Sequence, residues 1–185
     1  MLSQHAFSHH RLSRDRLSPA HGGFTLIELL VSVVVLAIGL LGMAGLQTTG
    51  LNTNQSAYFR TQATNAISDI LDRMRANPDG VGVGAYDNID VSGTLPGAES
   101  CITDSAGCTP PQLANYDIRE WAKLFKDVDN IGPNYRPLLP GSSATVVRTA
   151  GTATFTVTIT WQETDWANNR EKALEDKTLT IRVNL

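Results

Sequence analysis

Between Phe24 and Leu46 the chain runs through 23 residues with a single charge, the carboxylate of Glu28. As a helix rising 1.5 Å per residue, this stretch would span about 35 Å, enough to cross a hydrocarbon core of roughly 30 Å. The segment therefore predicts a membrane helix, with a short leader ahead of it and about one domain's worth of chain behind it. Arg11, Arg14 and Arg16 lie on its N-terminal side, and after Glu28 no Asp, Glu, Lys or Arg occurs before Arg60. The positive-inside rule then puts the leader in the cytoplasm and everything after the segment across the membrane. A carboxylate is unfavourable among lipid tails, so Glu28 reads as a functional residue.

A secretory signal carries its small-residue cleavage site after the apolar region. Here "GMAGLQTTG" offers no convincing site of that kind, whereas Gly22 and Gly23 stand immediately before the segment. A cut between Gly23 and Phe24, on the cytoplasmic side, would free an amine on Phe24 and leave the whole apolar helix on the product. The residues that carry these features, "GFTLIELLV", resemble the class III signal of type IV prepilins and secretion pseudopilins. The resemblance implies a prepilin peptidase that cuts after Gly23, N-methylation of Phe24, and an assembly role for Glu28 at the fifth mature position. It also implies a subunit held in the inner membrane, head in the periplasm, before it joins other minor pilins and the major pilin in a pilus. No cofactor is implied. Phe24 and Glu28 are four residues apart, one helical turn, so pairing of amine and carboxylate would offset part of the cost of keeping either in lipid. Between subunits, the resemblance implies that the same pairing sets the stagger, as buried polar groups can do in helical assemblies.

Outside the leader the chain holds 12 basic and 17 acidic residues, a balance that gives no support to nucleic-acid binding. All four histidines, His5, His9, His10 and His21, precede Phe24, so the processed chain would lack Ser-His or Cys-His catalysis and histidine-bound metal. No enzyme is expected. Cys101 and Cys108, with six residues between them, do not have metal-knuckle spacing. In an oxidising compartment they predict a local disulfide, stabilising by about 2.5 kcal/mol through loop closure.

Apolar Ala63, Ile67, Ile70 and Met74 recur at helical spacing, and "NPDG" ends the element, which predicts one helix from Phe24 to about Ala76, roughly 80 Å long. Thr48 to Ser56, with Gly50, is its weakest part. Gly39, Gly42 and Gly45 suit either a stretch that loosens or a face for close packing, and glycine is also simply common in membrane helices. Residues 79–115 read as connecting loop; "GVGVG" lacks the lysine of a phosphate loop. "DVDNIG" lacks an oxygen ligand at Ile131 and the later Glu of a calcium loop. Asp117 with Glu120 predicts a helix start, followed by the stripe Ile118, Trp121, Ala122, Phe125 and Val128.

Strict alternation in "ATFTVTITWQ" and "KTLTIRVNL", together with "ATVVRT", predicts at least three strands of an antiparallel sheet with one apolar face. The fold expected is α+β and pilin-like: a leader over 1–23, a transmembrane half-helix over 24–46, an amphipathic half over 47–78, and a head over 79–185 whose sheet the helix covers. Within the resembling family, "YDIREWAKLF", "LLPG" and "FTVTITWQE" point to a minor pilin. Alternatives are a minor pseudopilin of a type II secretion system and a tip adhesin, for which Trp166, Arg170 and Lys172 form the testable cluster, with a solvated hairpin turn the favoured reading of those three residues.

Overall fold

The computed structural model describes residues 22–164 and 173–185. The arginines and histidines of residues 1–21, and the cluster Trp166, Arg170 and Lys172, lie outside the described residues. Two compact units divide between Leu46 and Gln47.

In the first unit, helix α1 (Leu26–Ala76) begins two residues later than the sequence reading expects. Every residue from Gly22 to Leu46 is exposed. Leu26 is 90 % exposed and Leu41 74 %. The most apolar window of α1 has a mean hydropathy of 2.6 and no buried residue, so the helix is long and apolar enough to cross a membrane.

In the second unit α1 turns one stripe inward, formed by Ala63, Ala66, Ile67, Ile70, Leu71 and Met74. Steps of three and four keep these side chains on one face. Thr48 to Ser56 is helical throughout. Thr53 and Thr61 hydroxyls donate to the carbonyls of Thr49 and Ala57 one turn back, which satisfies two side chains that favour other conformations. Asn77 ends α1 and caps a short helix α2 (Pro78–Gly82), its side chain accepting from Gly80 N. Only glycine fits at position 80, because a Cβ there would collide with the Asn77 side chain.

The sheet has four strands in the order β1 (Asn88–Asp90), β2 (Ser143–Arg148), β3 (Thr154–Thr164) and β4 (Leu174–Asn184). All pairings are antiparallel. The register lines up Ile89, Val146, Val157 and Ile181 in one row and Ala144, Ile159 and Leu179 in the next. Those rows form the core face, together with Phe155 and Trp161. The opposite face of β3 carries Thr154, Thr156, Thr158 and Thr160, as period-two alternation requires.

Residues 79–115, expected to be loop, hold four elements: most of α2, β1, a single 3-10 turn (Cys101–Thr103) and the start of helix α3 (Pro110–Ala122). Helix α3 is capped by Thr109 and Gln112, with proline in its first turn. Asp117, expected as a helix start, is instead a buried residue in the middle of α3. Ile118, Trp121 and Ala122 face the core from the helix, and buried Phe125 follows from the turn beyond it. Trp121 is fully buried, meets Phe125 edge-on, and donates from Nε1 to the Ala66 carbonyl of α1 at 2.8 Å. Helix α1 and the sheet thus share one core, with α3 anchored to the stripe of α1.

Candidate functional site

The site to which the sequence points is the junction between Gly23 and the start of α1. Thr25 is the residue that makes this junction. Its hydroxyl accepts from Glu28 N at 3.3 Å, and its carbonyl accepts the first ladder bond, from Leu29 N at 3.2 Å. A threonine with a non-helical backbone whose side-chain oxygen takes the third amide of the helix is an N-cap. Gly22 to Thr25 therefore stay outside the helix. A Cβ at Gly22 or Gly23 would meet nothing within 4 Å, and Phe24 is 84 % exposed. The Gly23–Phe24 peptide sits in open, non-helical chain.

Phe24 consequently precedes the first helical turn rather than lying one turn below Glu28 within it. Glu28 is the only acidic residue in that turn, where a negative charge is favourable beside the unpaired amides of a helix N-terminus. Thr25 and Glu28 have the T-x-x-E spacing of a capping box, a signal in the sequence that the reading of Glu28 as an assembly residue left unused. At Gly39, Gly42 and Gly45 an added Cβ would meet nothing within 4 Å.

In the second unit the polar residues serve the fold. Tyr86, with no exposed surface, donates its hydroxyl hydrogen to Asp117 Oδ2 at 2.6 Å and accepts from Asn77 Nδ2 at 3.1 Å. Asn77 Nδ2 also donates to the Pro110 carbonyl at 2.8 Å. Arg73 Nη1 reaches Asp117 Oδ1 at 3.2 Å, and Arg73 Nε reaches Asp69 at 3.0 Å. Burial pushes the Tyr86 phenol well above the usual tyrosine range, and the bond to Asp117 adds to the rise. Burial opposes the charge on Arg73, yet Asp69 and Asp117 outweigh it and raise its pKa. One buried network thereby ties α1 to α2, α3 and the segment before β1.

Cys101 and Cys108 are joined in a disulfide with their Cα atoms 4.9 Å apart, closing a ring that ends one residue before the cap of α3. Lys123 is held by Glu120 at 2.6 Å and Asp129 at 2.9 Å, and both hydrogen bonds raise its pKa. In "DVDNIG" the Asp127 carboxylate accepts from Ile131 N at 2.9 Å and Gly132 N at 2.8 Å. Among the described residues no three His, Cys, Asp or Glu side chains group as a metal site.

Residues 19–44 match the family model of the prokaryotic N-terminal methylation motif, which contains Gly23, Phe24, Thr25 and Glu28. Residues 45–119 match the Tt1218-like family, described as type IV pilin Tt1218. The two matches abut and reach from residue 19 into α3. No curated protein and no solved structure matches the chain.

Proposed function

We propose that this chain, a type IV pilin with a prepilin N-terminal methylation motif, works as a minor subunit that helps to prime or tip the pilus. The observation that carries the reading is an apolar helix start with no covering partner among the described residues, bearing one carboxylate five residues after a Gly-Gly pair, inside the methylation match. Pilins are a structural family rather than an enzyme family, and a prepilin leader calls for a prepilin peptidase and for assembly with other pilins.

The specific roles are those that the resemblance of "GFTLIELLV" to prepilin signals implies. Cleavage between Gly23 and Phe24 leaves residues 24–46 as the lipid-embedded and later fibre-core part, residues 47–78 as the amphipathic part, and residues 79–185 as the rest of the head. The leader stays cytoplasmic, the helix crosses the inner membrane once, and the head is periplasmic until the subunit enters the fibre. The new Phe24 amine is methylated, and Glu28 of one subunit recognises that amine on a neighbour, because two opposite charges in an apolar bundle are worth far more together than apart. Assignment to the minor class rests on the resemblance of "YDIREWAKLF", "LLPG" and "FTVTITWQE" to the minor pilin PilV, the type IV pilus modification protein.

N-terminal mass analysis of the membrane-extracted protein tests the reading. A chain beginning with N-methylated Phe24 supports it, while a chain still beginning at Met1, or trimmed after residue 46, refutes it. Deleting the gene separates the pilus from the related type II secretion assembly. Loss of surface pili supports the first, and loss of secreted proteins with normal pili supports the second.

A further inference from the structure

We propose that Thr25 is a positioning residue for leader removal: its cap ends the helix where the carbonyl of Gly23, the group to be attacked, remains outside the hydrogen-bond ladder. The inference rests on the reading of the chain as a peptidase substrate. Hydrolysis adds water across the Gly23–Phe24 amide. The hydroxyl goes to the Gly23 carbonyl carbon, the carbon–nitrogen bond breaks, and the Phe24 nitrogen leaves with the proton. A carbonyl that accepts a helical bond is screened on the side from which an enzyme must polarise it, and its chain is not extended.

The geometry is specific about how this is avoided. In an α-helix begun two residues earlier, Gly23 O would accept from Ile27 N and Phe24 O from Glu28 N, by the i to i−4 rule. Instead Glu28 N turns to the Thr25 hydroxyl, and the ladder opens with Leu29 N on Thr25 O. The apolar run gives no other stop signal, since Phe24, Leu26 and Ile27 all tolerate helix and the lipid side favours closing every backbone bond. Gly22 and Gly23 weaken a helix but do not prevent one. A single side-chain oxygen at position 25 therefore sets the boundary. The match to the N-terminal methylation motif over residues 19–44 spans this same junction.

The test uses the full-length chain in phosphatidylethanolamine–phosphatidylglycerol vesicles with a purified prepilin peptidase, and three proteins: wild type, Thr25→Ser and Thr25→Leu. Two quantities are read, the kcat for release of the leader and the hydrogen-exchange protection of the Ile27 amide before enzyme is added. Thr25→Leu is expected to protect Ile27 and to lower kcat about five- to tenfold, the cost of opening one net hydrogen bond. Thr25→Ser, which keeps the cap, is expected to match wild type in both. Thr25→Leu with Ile27 unprotected would overturn the proposal, and so would protection of Ile27 with unchanged kcat. Failure of the peptidase to cut wild type after Gly23 would instead overturn the prepilin reading.

Discussion

Tyr86→Phe isolates the buried polar network from the surrounding core. The substitution keeps the ring, which has no exposed surface, and removes only the hydroxyl that donates to Asp117 at 2.6 Å and accepts from Asn77 at 3.1 Å. Asn77 retains the Pro110 carbonyl and Asp117 retains Arg73, so no whole side chain is orphaned. The principal loss is one hydrogen bond to a charged acceptor, about 2 kcal/mol. For a head of this size that corresponds to a fall in Tm of about 7 °C. The pH dependence supplies a sharper mark. The Tyr86 pKa is raised in the folded state, so the unfolded chain loses this proton first as pH climbs past the ordinary value of 10.0. The stability contributed by the phenol is complete below that pH and declines above it, at up to about 1.4 kcal/mol per pH unit. Tyr135 is shifted in the same direction, by burial and by Asp127, but it is present in both proteins and cancels in their difference. Unfolding of the full chain in detergent, followed by near-ultraviolet circular dichroism, should show a gap between wild type and variant that is constant from pH 7 to 9 and narrows above pH 10. A constant gap to pH 11.5, or no gap at pH 7, would refute this account of the network.

Reduction of the Cys101–Cys108 disulfide, or Cys101→Ser with Cys108→Ser, should destabilise the head by about 2.5 kcal/mol, seen as a lower melting temperature with and without a phosphine reductant. Trp121→Phe should cost about 2–3 kcal/mol in denaturant titration, combining the lost bond to the Ala66 carbonyl with a void in the core. Glu28→Gln should leave a membrane-inserted protein that is cut at the normal position, yet its recovery in sheared filaments should drop at least tenfold; normal incorporation removes the recognition role. Asp117→Ala, which leaves the Tyr86 hydroxyl without its acceptor and Arg73 without one of its two carboxylates, should cost more than Tyr86→Phe, about 3 kcal/mol or above, in the same melts.

What could be read from the sequence was whatever repeats along it. The apolar run over Phe24 to Leu46, the stripe through Ala63, Ile67, Ile70 and Met74, and the alternation of Phe155, Val157, Ile159 and Trp161 each declare their period over several turns or pairs, and the structure buries or exposes them accordingly. Short elements escape that logic. β1 has three residues, too few to alternate, and is a strand because Asn88, Ile89 and Asp90 find Val147, Val146 and Thr145 more than fifty residues away. The start of α3 was misread because Asp117 and Glu120 imitate a cap, while the operative cap, Thr109 with Gln112 ahead of Pro110 and Pro111, sits inside a stretch whose Gly, Ser and Pro content reads as loop. What turns Asp117 inward is not local: its partners Tyr86 and Arg73 lie 31 and 44 residues away. At the N-terminal junction the opposite holds. Thr25 and Glu28 are three residues apart, and the T-x-x-E spacing was visible from the start, but a carboxylate in an apolar run draws attention to its charge and away from its backbone amide. The amide is what the fold uses, held by the Thr25 hydroxyl, and the carboxylate takes no part in that bond.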